Sequence, residues 1–200
     1  MMHHAAMERD PAAGAEAALL RAYARGDPGA ARDLAEAVVP RILAQAQRML
    51  ADPAEAEDVA QEAMLRLWRA AAGWRDDGAR LGTWLYRVTA NLCIDRLRAR
   101  RGPVGTEGLA EPPDPGPSAA DRLQGRARLR ALSDALARLP DRQAQAVALR
   151  HLEGLSNPEI AAVMEIGIEA VESLTARGRR ALAAALAGRR EELGYDDATD

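Results

Sequence analysis

Apolar residues recur every three to four positions along most of the chain, and the rhythm breaks at Gly, Pro and Asp. This period predicts helices near 15–25, 28–50, 54–72 and 81–101, and again near 121–138, 141–152, 156–164 and 168–187. Gly26-Asp27-Pro28 separates the first pair. Asp52 stands as an N-cap with Pro53 at the first helical position. Gly73 and Gly78 bracket the loop before the fourth helix, and Pro140-Asp141, Gly154 and Glu165–Gly167 divide the later ones. No alternating strand pattern or internal repeat appears, so the fold class is all-α. From Gly102 to Ala120 the rhythm stops. That stretch holds five prolines, four glycines, three acids and no basic residue. Such a composition builds no core and predicts a flexible linker. The chain thus divides into a helical module at 15–101, a linker at 102–120 and a second small helical module at 121–190. The acidic tail after Gly194 should fray.

On a wheel of about 100° per residue, the third helix carries Ala60, Ala63, Met64, Leu67 and Ala71 on one face, the expected core stripe. The opposite face carries Asp58, Gln61, Glu62, Leu65, Arg66 and Arg69, with Trp68 at its border. Leu65 stands alone among polar side chains. Single exposed leucines are ordinary. An apolar anchor inside a charged rim is also how a protein-docking face is built. Periodicity leaves both readings open.

The fourth helix, TWLYRVTANLCIDRLRARR, begins aromatic and ends in four arginines. Trp84, Arg87, Val88, Asn91, Ile94, Asp95 and Arg98 form one stripe. Leu85, Tyr86, Leu92, Cys93 and Leu97 spread over the side expected to be buried. Aromatic planes stack on exposed bases and arginines track phosphates, a combination suited to single-stranded nucleic acid. Trp74, Arg75 and Arg80 add to it from the preceding loop. Trp84 also fits a core position, and Arg96–Arg101 also fit a solvated helix end that complements the dipole.

Leu155 to Leu182 has helix-turn-helix spacing. Ala161 is the small residue at the crossing, Val171 packs back onto it, and Ile160, Met164, Ile166 and Leu182 complete the interior. Ser156 and Glu159 form a capping box. Glu169, Glu172, Ser173, Ala176, Arg177 and Arg180 then line one face of the second helix, where a major groove would be read. An ordinary helical hairpin shares this pattern. The turn position usually held by Gly is Glu165, and a left-handed non-Gly residue costs about 1 kcal/mol. Gly167 lies two residues on, so the turn could be shifted. Gly178 costs a helix interior about 1 kcal/mol relative to Ala, and the sequence alone does not explain it.

Composition changes this picture little. Apolar residues make up 48% of the chain, with no Phe, in keeping with small helical cores. The net charge is only −3, so the basic clusters at 96–101, 122–130 and 177–180 matter more than the sum. The single Cys93 excludes an intrachain disulfide and is expected to be a buried small hydrophobe rather than a redox-sensing thiol. His3 and His4 alone define no metal site. No apolar run approaches a membrane span and the N-terminus lacks a signal core, so a cytoplasmic protein is expected. No cofactor is called for. Nothing resembles paired carboxylates, an activated nucleophile or a phosphate-cradling loop, so the expectation is a binding protein and not an enzyme.

Taken together, these residues resemble the extracytoplasmic-function (ECF) group of bacterial RNA polymerase sigma factors, which carry regions 2 and 4 only. DPAEAEDVAQEAMLRLWRA is similar to region 2.2, GARLGTWLYRVTANLCIDRLRARR to regions 2.3 and 2.4, and LPDRQAQAVALRHLEGLSNPEIAAVM with the following helix to region 4. The resemblance implies an alternative sigma factor that binds core polymerase and recognises and melts promoters. Asp58, Gln61, Glu62, Leu65 and Arg69 would dock on the β′ clamp. Trp84, Arg87, Asn91, Asp95, Arg98, Arg100 and Arg101 would serve the −10 element, with Asn91 at a flipped base. Glu169, Glu172, Ser173, Ala176, Arg177 and Arg180 would serve the −35 element, with the second module also touching the β flap. An anti-sigma factor would be a further partner. Glu172 departs from the Lys or Arg common there, and Ala176 from a larger side chain. Two other readings compete. A stand-alone helix-turn-helix regulator predicts a homodimer and palindromic operators, and a sigma mimic that sequesters an anti-sigma factor predicts a poor groove face.

Overall fold

A helix must satisfy its first amides and last carbonyls, and the chain does so with the residues that punctuate its sequence. Asp27 accepts from the Gly29 and Ala30 amides at the start of one helix. Asp52 accepts from the Glu55 amide at 3.0 Å at the start of the next. Between them Ala51 takes the left-handed conformation, φ 55°, and its amide closes onto the Gln47 carbonyl. A computed structural model describes residues 11–74, 81–100 and 119–187, with side chains from 14 and from 124 in the outer two stretches. It gives eight helices among those residues: α1 (Pro11–Ala24), α2 (Pro28–Leu50), α3 (Pro53–Ala71), α4 (Leu81–Arg100), α5 (Ala119–Arg138), α6 (Asp141–His151), α7 (Asn157–Met164) and α8 (Ile168–Ala187). No strand occurs among the described residues. The expected His3–His4 tail, Arg75, Arg80, Arg101, nearly all of the 102–120 linker and the acidic tail lie outside them. Ala119 and Ala120, assigned to the linker from composition, already belong to α5.

The first four helices close around Leu20, Leu34, Val38, Met49, Val59, Leu67, Leu85 and Leu97. The whole predicted stripe of α3, from Ala60 to Ala71, is buried there. Two members of the predicted open stripe of α4 are not open: Val88 and Ile94 are buried. Helix α4 is covered on more of its girth than one face because the second module packs on it. Leu136, Ala137, Leu139, Ala144, Val147 and Ala148 of the second module share one core with the first. A second cluster joins Ala90 of α4 to Ala146, Leu149, Ile160, Val163, Met164 and Val171. Polar ties run along the same seam. Ser133 donates to the Leu50 carbonyl at 2.9 Å, capping the end of α2 from α5. Arg48 of α2 makes a two-pronged pair with Glu153, whose side chain is only 3% exposed.

Candidate docking and nucleic-acid interface

Helix α3 presents its polar face as the periodicity predicts. Asp58, Gln61 and Arg69 are exposed, and Leu65 is 48% exposed. Glu62 is half-buried and accepts from Arg66 one turn on at 2.9 Å. Asp58 accepts from Arg96 of α4 at 3.3 Å, which ties the rim to the neighbouring helix. The face is therefore one large apolar side chain inside a rim of placed charges. Trp68 leaves the rim and stacks tilted on Tyr23 of α1, ring centres 4.5 Å apart.

Along α4 the candidate promoter residues split. Trp84 is half-buried and meets Trp74 edge-to-face at 5.9 Å. Arg87, Asn91, Asp95 and Arg98 stand on the accessible side, with Arg87 the most covered of the four. Arg98 donates to Asp95 at 2.7 Å. Arg100 departs from expectation. It donates to Glu55 of α3, to the Leu50 carbonyl at 3.1 Å and to the Ser133 hydroxyl at 3.0 Å. It ties the end of α2 and the start of α3 to α5, with its donors turned inward. The arginine run promised a single basic tip, but this arginine reaches inward, to carbonyl and carboxylate groups that need a donor.

Cys93 is fully buried, and loss of solvation pushes its thiol up to about 12. The hydrophobe reading holds, and alkylation at neutral pH should require unfolding. A thiol-reactive dye that modifies the folded chain in minutes would contradict this.

The second module has the helix-turn-helix interior expected of it. Val171, Ile160 and Met164 are buried, and Ser156 and Glu159 form the capping box, amide to carboxylate at 2.7 Å. The turn is not shifted to Gly167. Glu165 itself is left-handed, φ 54° and ψ 49°. On α8, Glu169, Glu172, Ser173, Arg177 and Arg180 are exposed and Ala176 is half-buried beside them. Asn157 of α7 donates to Glu172 at 3.4 Å, so the scaffold helix holds that carboxylate in place. Gly178 faces the other way. A Cβ there would lie 2.5 Å from Val147 Cγ2 and 3.1 Å from the Gln143 carbonyl oxygen of α6, which explains the glycine.

Sequence reasoning missed the residues of the second module that meet α4. Gln145 donates to Asn91 at 2.9 Å. Glu165 pairs with Arg87. Asp141 lies 3.6 Å from Arg98. Only Glu165 left a signal, as an acid at a backbone position that favours Gly. Gln145 and Asp141 look like ordinary polar helix positions until the modules are seen together.

Comparison with known proteins gives a consistent result. Residues 34–102 match the family model for Sigma-70 region 2 and residues 129–182 that for Sigma-70, region 4. The ECF RNA polymerase sigma factor SigW of Bacillus subtilis is 30% identical over 79% of this chain and 89% of its own length. The RNA polymerase sigma-H factor of Pseudomonas aeruginosa is 35% identical over 84% and 92%. Among solved structures, CnrH in complex with the cytosolic domain of CnrY superposes with a TM-score of 0.61 at 24% identity. That match covers 87% of this chain and 98% of CnrH, and at such identity it speaks for the fold alone.

Proposed function

The chain belongs to the ECF group of RNA polymerase sigma factors, and from that premise we propose that it binds core RNA polymerase and directs it to specific promoters. The observation that carries the reading is the ordered pair of matches, region 2 at 34–102 and region 4 at 129–182. The geometry supports it in three places. The α3 face, with exposed Leu65 and its charged rim, suits a helical partner such as the β′ clamp. Arg87, Asn91 and Arg98 on α4 suit the −10 strand, with an amide for a base edge and guanidinium groups for phosphates. The exposed side of α8 suits the −35 major groove, while its module meets the β flap. An anti-sigma factor completes the set of partners. In this reading the chain works in the cytoplasm, contributes binding only, and leaves the chemistry to the core enzyme. No helix among the described residues is long and apolar enough to cross a membrane.

The test is transcription in vitro with purified core enzyme on the chain's own candidate promoters. Start-site-specific transcripts should depend on the added chain. Their absence across a promoter library would overturn the reading, and a homodimer on palindromic sites would favour a stand-alone regulator instead.

Two substitutions resolve the promoter contacts. Asn91→Ala should lower open-complex formation about tenfold, the worth of one good base contact, and leave core binding unchanged in a fluorescence titration. Equal loss of both would place Asn91 in the fold rather than at the base. Glu172 can accept from a cytosine N4 amino group, whereas Arg in its place would favour guanine. Glu172→Arg should therefore change the preferred base at one −35 position in a randomised promoter library. An unchanged base profile would remove Glu172 from the groove.

A further inference from the structure

Ile168 is a large apolar side chain left in solvent on the helix that the reading above sets in the −35 groove. It is the first residue of α8 and is 47% exposed. Its neighbours in sequence fix it there. Glu165 makes the left-handed turn, Ile166 packs inward against the cluster of Ile160 and Val171, and the Gly167 carbonyl accepts from the Val171 amide at 3.2 Å to close the first turn of the helix. At about 100° per residue, Ile168 lies about 40° from Glu172, one turn further on, and so borders the exposed face on the Glu172 side. We propose that Ile168 is a specificity-determining residue of the −35 contact, reading the 5-methyl group of a thymine that neighbours the base met by Glu172. This rests on the functional reading above.

The chemistry of the groove selects that partner. Base edges in the major groove present hydrogen-bond donors and acceptors, and the thymine methyl is the apolar exception. A lone exposed isoleucine is ordinary on a free surface. In a groove it displaces water, and against a polar base edge it leaves donors or acceptors unpaired. Against a methyl group it leaves none. The side chain is also prepared for the contact. A β-branched residue in a helix keeps one strongly preferred rotamer, so little freedom is lost on burial. The charges of α8 divide in the same sense. Its first half carries Ile168, Glu169 and Glu172, and its first basic residue is Arg177. An acidic and apolar half does not attract phosphates, so it is suited to base edges, and the arginines beyond it to the backbone. Four residues advance a helix by about 6 Å and one base pair a duplex by about 3.4 Å, so the thymine and the Glu172 base stand within about two steps. Asn157 holds Glu172 from the scaffold side at 3.4 Å. With Ile168 excluding water beside it, that carboxylate is satisfied only by an N–H donor on its base, which couples the two readings.

The experiment uses the full chain with core enzyme on a −35-dependent promoter mapped for the parent. In a library randomised over the −35 element, the parent should favour thymine beside the base whose preference Glu172→Arg shifts. Ile168→Ser should flatten that thymine preference, and Ile168→Val should retain it. A second arm removes the methyl and keeps every hydrogen bond: deoxyuridine replaces that thymine in the promoter duplex. Parent holoenzyme should then bind about fourfold more weakly, the worth of one buried methyl group. Ile168→Ala holoenzyme should bind the two duplexes equally. Because the side chain is exposed, Ile168→Ala should match the parent in urea unfolding and in binding of core enzyme without DNA. A library with no thymine preference that Ile168→Ser removes, a deoxyuridine loss as large in Ile168→Ala as in the parent, or a loss shared by all −35 sequences would overturn the proposal and leave the functional reading intact. Absence of core-dependent transcripts with the parent would overturn both.

Discussion

Leu65→Asp should weaken binding of core RNA polymerase by about 100-fold and leave the chain as stable as the parent to within about 0.5 kcal/mol. The two halves of this expectation come from the same fact. Leu65 is 48% exposed on a face whose other members are charged or amide side chains, so the fold does not depend on it. Apolar anchors at the centre of a helix-docking face contribute disproportionately to affinity, and a buried unpaired carboxylate in their place adds its own desolvation cost. A loss of about 100-fold corresponds to some 2.7 kcal/mol, ordinary for such a centre. Exposed Asp58, Gln61 and Arg69 on the rim should each matter less, because solvated charges and amides at a rim contribute little beyond steering and orientation. The measurement is a titration of labelled core enzyme with each variant, beside urea unfolding of the free chain. Core binding within threefold of the parent would show that Leu65 is a stray surface residue after all.

That face was legible in the sequence because a helix on the outside of a bundle has one buried stripe and one free face. Ala60, Ala63, Met64, Leu67 and Ala71 set the stripe, and Leu65 was left over. The boundaries were legible for a similar reason: Asp27, Asp52 and Ser156 are caps, and caps act on neighbours in sequence. Helix α4 was harder. Val88 and Ile94 fell on the predicted open stripe because a wheel allows one buried face, whereas α4 is packed by its own module and by α5, α6 and α7. Arg100 read as one more arginine of a basic tip, yet long side chains can fold back, and this one meets Leu50, Glu55 and Ser133. No local pattern marks contacts between residues some fifty to a hundred positions apart. The pairs Arg48–Glu153, Asn91–Gln145 and Arg87–Glu165 are all of that kind.

Helix propensity makes the opposite prediction from packing at Gly178, and the magnitudes decide between them. In an open helix, Gly→Ala stabilises by about 1 kcal/mol. Gly178, however, is buried where α8 crosses α6, and an added Cβ would sit 2.5 Å from Val147 Cγ2. Val147 is buried within its own helix, where a β-branched side chain has one strongly preferred rotamer, so it cannot easily turn aside. The Gln143 carbonyl oxygen at 3.1 Å is backbone and cannot turn aside at all. The helices must separate, and overpacking of this kind costs about 1–3 kcal/mol. Gly178→Ala should therefore be net destabilising, and Gly178→Leu should unfold the second module or force α8 off α6. Arg177 and Ser173 ride on α8 beside this crossing. The same substitution should then reduce transcription from −35-dependent promoters more than it reduces binding of core enzyme through α3. Urea unfolding of Gly178→Ala checks the first claim, and a midpoint at or above that of the parent would mean that propensity wins and the crossing is looser than the 2.5 Å approach implies.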